Sequence, residues 1–226
     1  MRKLVVTENI TIDGVIDAAG GWFAPGDDSA DLAEVTDVLQ QQAAAADALL
    51  LGRTSFEEMR GFWPQQTDDT TGNTAYLNQV KKYVVSSTMT DPGWENTTIL
   101  RGTIADEVAA LKDQPGQDIV ATGSITLVHE LIAHRLVDEY RLFTYPVVLG
   151  HGRRLFQDAT DVHGLVLQDV RRFGSTVVIG DVGAMDPPTT RRHAVAGRDE
   201  RLARFNHRAA VRVLDSWCGL VGRCTV

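Results

Sequence analysis

Two stretches of the sequence follow an apolar run with a glycine and then a hydroxyl-bearing residue. They are Ala48-Leu49-Leu50-Leu51-Gly52-Arg53-Thr54-Ser55 and Ile119-Val120-Ala121-Thr122-Gly123-Ser124-Ile125-Thr126. Each reads as a buried strand, a tight turn and a helix N-terminus. The first amides of a helix have no partner within it and carry the positive end of its dipole, so such a junction suits an anion such as a phosphate. Arg53 adds a guanidinium fork of the right geometry for a phosphate. Ser124, and either Thr54 or Ser55, are expected to cap the helices they open.

Other chemistries lack their residues. The chain has no G-x-S-x-G elbow, no GxxxxGK[ST] loop, no HExxH, and no cysteine before Cys218 to act as a nucleophile. Cys218 and Cys224 cannot complete a zinc site by themselves, and no metal is expected. The histidines at 129, 134, 151 and 163 are scattered, and His129 reads as a surface or packing residue of its own helix. Asp138-Glu139 has no partner carboxylate identifiable from spacing. A reaction carried by a bound cofactor, which the protein orients, is what remains.

The elements that would position these turns alternate between strand and helix. The chain starts with a strand at Lys3–Thr7, where polar Thr7, Glu8 and Asn9 end the apolar run, and continues to a turn at Asp13-Gly14. The segment 20–26 is a glycine-rich loop; its Trp22 and Phe23 would serve as a lid or fold back onto the core. Asp27-Asp28-Ser29 can cap a helix whose Leu32, Val35, Val38 and Leu39 keep helical spacing up to Ala46. Phe56, Met59, Phe62 and Trp63 read as core, closed by Pro64. Further helices are expected at Thr74–Val80 and Ile104–Lys112, the latter capped by Thr103, with strands at Tyr83–Val85 and Thr98–Leu100. After the helix bearing Leu127, Leu131 and Ile132 comes a strand at Asp138–Phe143, stopping at Pro146 before the Gly150-His151-Gly152 turn. A hairpin follows, with Leu165–Leu167 and Thr176–Ile179 flanking Arg172–Ser175. The fold class is α/β: a mostly parallel sheet with an antiparallel C-terminal hairpin and helices on both faces. Ligand is expected at the C-terminal edge of that sheet. The strand around Leu142–Val148 and the hairpin Leu165–Ile179 are expected at the sheet edges. An exposed apolar edge strand left unpaired would be an association liability.

Composition sets the frame. With 226 residues and 43% apolar content, the chain supports one sizeable domain, residues 1–184, and an appended segment, 185–226, beginning near Asp186-Pro187-Pro188. That extension carries about +4 charges on eight arginines and leaves about −12 on the body. Its Leu202, Phe205, Ala209 and Val213 keep helical spacing, so it is read as a single helix or as disordered. An acidic body argues against nucleic acid, and no apolar run reaches the roughly 20 residues of a membrane span. The expected location is the cytoplasm.

TENITIDGVI, LLLGRTSFEEM, KKYVVSSTM and ATGSITLV…LVDEYRL…PVVLGHGRRLF occur in an order that resembles the dihydrofolate-reductase-like superfamily. The resemblance is strongest to the branch built like the C-terminal reductase domain of bacterial riboflavin biosynthesis, and it runs from about Lys3 to about Val182. It implies that fold, a homodimer and an NAD(P)H-dependent reduction of a C=N or C=O bond in a small heterocycle of pterin or flavin-precursor type. NADPH is the implied cofactor, with NADH possible. The implied cofactor-binding residues are Gly52, Arg53, Thr54, Ser86, Ser87, Thr88, Gly123, Ser124, Ile125 and Thr126. Asp13, Gly14 and Trp22 would border the substrate, and Asp31 stands where dihydrofolate reductases place their substrate-binding acid. Family members commonly read Ser-Arg-Thr where this chain has Ser86-Ser87-Thr88, and Gly-Gly where it has Gly123-Ser124. Ser87 therefore implies weak discrimination between NADPH and NADH. Two alternatives stand beside the reductase: a nucleotide- or ligand-binding protein on the same fold without turnover, and an interaction protein that recruits an anionic partner through its basic tail.

Overall fold

Among the described residues, short runs rich in Val, Ile and Leu form one sheet of eight strands, and period-two burial along them builds a core on each face. The structure is a computed structural model that describes residues 1–19, 21–22, 30–69, 72–157, 162, 164–173 and 177–184. The strands are β1 (Leu4–Thr11), β2 (Ala46–Gly52), β3 (Lys81–Val85), β4 (Thr97–Leu100), β5 (Asp118–Ala121), β6 (Glu139–Tyr145), β7 (Leu165–Phe173) and β8 (Val177–Ala184). Between them lie helices α1 (Ala30–Ala44), α2 (Arg53–Phe62), α3 (Asn73–Gln79), α4 (Ile104–Asp113) and α5 (Ile125–Ala133), with a short 3-10 turn at Trp63–Gln65. The spatial order is β4-β3-β2-β5-β1-β6-β8-β7. The first six run parallel; β8 pairs antiparallel with both β6 and β7.

The pleat sorts the side chains. Leu4, Val6, Ala48, Leu50, Ile119 and Ala121 point to one face and pack under Val108 and Leu111 of α4 and Leu127, Val128 and Leu131 of α5. Their neighbours Val5, Leu49, Leu51 and Val120 point the other way, onto Phe56 and Met59 of α2, Trp63, and Leu77 of α3. Both faces of the central strands are dry, as parallel strands require. Adjacent strands β2 and β5 thus send their following helices, α2 and α5, to opposite faces. Such a reversal opens a crevice beyond the C-terminal ends of the two strands.

The α/β architecture, the antiparallel C-terminal pair and the glycine turns at strand ends agree with the sequence reading; three details do not. β1 continues through Glu8, Asn9 and Ile10 to Thr11, because its ladder with β6 runs on to the Thr11–Tyr145 pair. The strand containing Leu142 is no edge: β6 lies between β1 and β8, and the edges are β4 and β7. The hairpin strands are also longer than expected, since pairing with β6 sustains β8 from Val178 to Gly183. Phe23, the Asp27-Asp28-Ser29 caps, His163, the hairpin turn at 174–176 and the 185–226 extension lie outside the described residues.

Candidate functional site

The two glycine turns are bonded to each other. The Gly52 amide donates to Ser124 Oγ at 2.9 Å, and Ser55 Oγ donates to the Gly123 carbonyl at 3.1 Å. Gly123 takes a left-handed φ of 65°, a conformation glycine adopts without steric penalty. Ser124 stands at the N-cap of α5, yet its side chain makes no cap bond, because its oxygen is turned to Gly52. Thr54 and Ser55 do not cap α2 either: the N-cap is Gly52, so both already lie inside the first turn. The expected side-chain caps are therefore absent. The contrast is α4, where Thr103 Oγ1 accepts the Asp106 amide at 3.3 Å. Two helix N-termini thus converge on the crevice without a side-chain cap on either, an arrangement that suits an anionic ligand.

β2 and β3 are neighbours, so the loops leaving their C-terminal ends meet. Arg53 bridges them, donating through Nη1 to Thr88 Oγ1 at 2.6 Å and through Nε to Glu57 at 2.9 Å. The Ser86-Ser87-Thr88 turn is shaped by Ser86 Oγ, which accepts the Met89 amide at 3.0 Å. Arg101, which sequence reasoning passed over, donates to the Ser87 carbonyl at 3.2 Å from the loop after β4. Gly52–Thr54, Ser86–Thr88 and Gly123–Thr126 therefore gather along one edge of the sheet.

Asp13, Gly14 and Trp22 form a separate group beyond the ends of β1 and β6. The Asp13 carboxylate accepts from Thr11 Oγ1 at 2.6 Å, the Gly150 amide at 2.8 Å and the Leu149 amide at 3.3 Å. Those bonds, the Thr11 hydroxyl foremost, hold its pKa down at about 2. Gly14, at φ 84°, donates to the Thr11 carbonyl at 2.9 Å and closes the turn. Asp13 accordingly ties the end of β1 to the Gly150 turn. Trp22 folds back: Nε1 donates to the Asp17 carbonyl at 2.7 Å, and the ring meets Tyr145 edge-on at 5.5 Å. Asp31 falls in the first turn of α1, and its side chain lies outside the described residues.

Glu8, like Arg101, is a residue the sequence reading missed. β5 pairs with β1 only from Leu4 to Val6, so two residues later Glu8 has passed the end of β5 and meets the turn instead. Its Oε1 accepts the Gly123 amide at 2.8 Å, and the residue is only 6% exposed. Burial raises its pKa to about 8, against the opposing pull of the Gly123 N–H. One signal was available: at spacing two from Leu4 and Val6, Glu8 must share their buried face.

This buried acid has a consequence for stability. The folded chain keeps the Glu8 proton up to about pH 8, whereas the unfolded chain releases it near its ordinary value of 4.5. Between those values the folded state binds more protons, so stability falls as pH rises, by up to about 1.4 kcal/mol per unit. Urea unfolding of wild type and Glu8→Gln from pH 5 to 9 is expected to show this slope in wild type only, levelling above pH 8. Equal slopes in the two proteins would remove Glu8 as its source.

The chain is similar to proteins already known. The Bacillus subtilis protein YyaP is 34% identical over 183 residues, covering 78% of this chain and 92% of YyaP. Among solved structures, a riboflavin biosynthesis protein from Shewanella sp. PV-4 superposes with a TM-score of 0.61 at 20% identity, covering 80% of this chain and 98% of that one. A pyrimidine reductase-like protein from Corynebacterium diphtheriae superposes at 0.59 with 14% identity, covering 82% and 93%. Both likenesses establish the reductase-type fold. Residues 2–179 match the RibD C-terminal domain, and the chain belongs to that family.

Proposed function

We propose that the protein is an NAD(P)H-dependent reductase of a small heterocycle of pterin or flavin-precursor type. One observation carries this reading: two helix N-termini without side-chain caps, bonded to each other at the topological switch point, offer unpaired amides to the phosphates of a dinucleotide. Gly52, Arg53 and Thr54 would hold one phosphate and Gly123 to Thr126 the next. The Ser86–Thr88 turn would border the adenosine end, where Ser87 has no guanidinium of its own. Arg53 and Arg101 both reach this turn, which favours NADPH while leaving NADH usable. When bound, the cofactor supplies a hydride. The protein's task is to orient it, to exclude water and to deliver a proton to the nitrogen or oxygen that the hydride leaves charged.

Asp31, in the first turn of α1, is the proposed source of that proton, and Asp13, Gly14 and Trp22 line the substrate side. A homodimer forms through the edge strand β7, where Val166, Leu167 and Val170 are 46%, 62% and 53% exposed. Among the described residues no helix is long and apolar enough to cross a membrane, and the protein is proposed to work in the cytoplasm.

The reading is tested by quenching or shift of NADPH fluorescence on mixing, and then by NADPH loss with oxidised pterins and flavin precursors. Arg53→Ala is expected to weaken NADPH binding about tenfold, since a half-exposed charge-assisted bond contributes about 1.5 kcal/mol. Unchanged affinity by calorimetry, in a folded variant, would dismiss this phosphate site. Asp31→Asn is expected to cut turnover by at least about a hundredfold with NADPH affinity intact. A small stability loss with normal turnover would instead make Asp31 a partner of the helix dipole. Light scattering at micromolar concentration is expected to give twice the chain mass; the monomer mass would reject the β7 interface.

A further inference from the structure

We propose that Glu8 is a ligand-binding residue, taking the Gly123 amide on one carboxyl oxygen and presenting the O–H of the other to the phosphates held at the two turns. This rests on the reading that a nicotinamide dinucleotide binds there.

Geometry makes the case. Glu8 is 6% exposed, sits where β1 outruns β5, and is bonded to the glycine turn that opens α5. Among the described residues the Gly123 amide, on Oε1, is the sole partner its carboxyl has, so Oε2 is uncommitted. Oε2 is not one of the fully buried unpaired oxygens among the described residues, so it is open to a group that a ligand brings. The charged groups of the surrounding elements are engaged elsewhere. Arg53 of α2 is held by Glu57 and Thr88. Arg141 of β6 pairs with Glu139 and with Asp118 of β5, and alternation puts both β6 residues on the sheet face opposite Glu8. On α5, His129 meets the Arg154 carbonyl and Glu130 lies near His134. Among the described residues no cation pairs with Glu8, and burial keeps it neutral up to about pH 8.

An ionised carboxylate at this point and an anionic phosphate beside it repel each other at short range. A neutral carboxylic acid there is instead a hydrogen-bond donor. Ligand binding and proton retention are therefore coupled: the bound phosphates hold the proton on Glu8, and losing that proton expels the ligand. A purely structural Glu8, whose role ended at locking the Gly123 turn, would show no such coupling.

Two measurements with NADPH as the probe decide the matter. Calorimetry of the wild-type protein at pH 8.5, in two buffers of different ionisation heat, is expected to show uptake of about three-quarters of a proton per NADPH, given a free value of about 8. Titration between pH 7 and 10, where the cofactor's own phosphates are already ionised, is expected to show wild-type affinity falling about tenfold per unit above pH 8. Glu8→Gln, which keeps an acceptor and a donor but cannot ionise, is expected to give a flat profile. Zero proton uptake, or the same pH profile in both proteins, would overturn the role of Glu8 and leave the reductase reading standing. Calorimetry alone decides this if Glu8→Gln does not fold. Absence of NADPH binding at every pH would overturn the reductase reading, and the role of Glu8 with it.

Discussion

The hydroxyl of Ser124, taking the Gly52 amide at 2.9 Å, is the contact on which the C-terminal edge of this sheet depends. It joins two strand-to-helix turns that are 72 residues apart in sequence and lie on adjacent strands. In doing so it diverts the one side chain placed to cap α5. A hydroxyl spent between turns is a hydroxyl not spent on its own helix, and the first amides of α5 remain for a ligand. The Ser55 bond to Gly123 has the same effect from the other side: the two turns are fixed relative to each other while both helix N-termini stay open.

That arrangement explains how a serine is accommodated at position 124, beside the glycine turn. The side chain does not point into the crevice as an obstruction; it becomes part of the frame. Gly123 keeps the left-handed conformation the turn requires, and Glu8 anchors its amide from the neighbouring strand. Preorganisation of this kind lowers the ordering cost of binding, because the donors are in place before the ligand arrives.

Much of the fold could be read from the sequence because its signals are local. Short apolar runs located β2, β3 and β5, and helical spacing located α2, α4 and α5, to within a few residues. What escaped was decided by tertiary pairing. Nothing local says that β1 should continue through Glu8, Asn9 and Thr11; the ladder with β6 decides it. Nor does the sequence say that β8 inserts beside β6 and moves it from the edge to the interior. The site shows the same division. The glycine turns were legible from spacing, whereas the bond from the Gly52 amide to Ser124, and the reach of Arg101 to Ser87, depend on which strands become neighbours. Glu8 was hidden by its chemistry: a glutamate after an apolar run looks like a strand end, and its alternation with Leu4 and Val6 counts only once β1 is known to continue past Thr7.

The central claim is that a nicotinamide dinucleotide binds at the paired helix N-termini. Backbone amide spectra of the isotopically labelled protein, recorded while NADPH is added, test it at the atoms concerned. The account predicts saturable shifts concentrated at Arg53–Ser55 and Ser124–Thr126, with smaller ones at Ser86–Thr88. Shifts confined to the Asp13 and Gly150 turns, or none at millimolar NADPH, would contradict it.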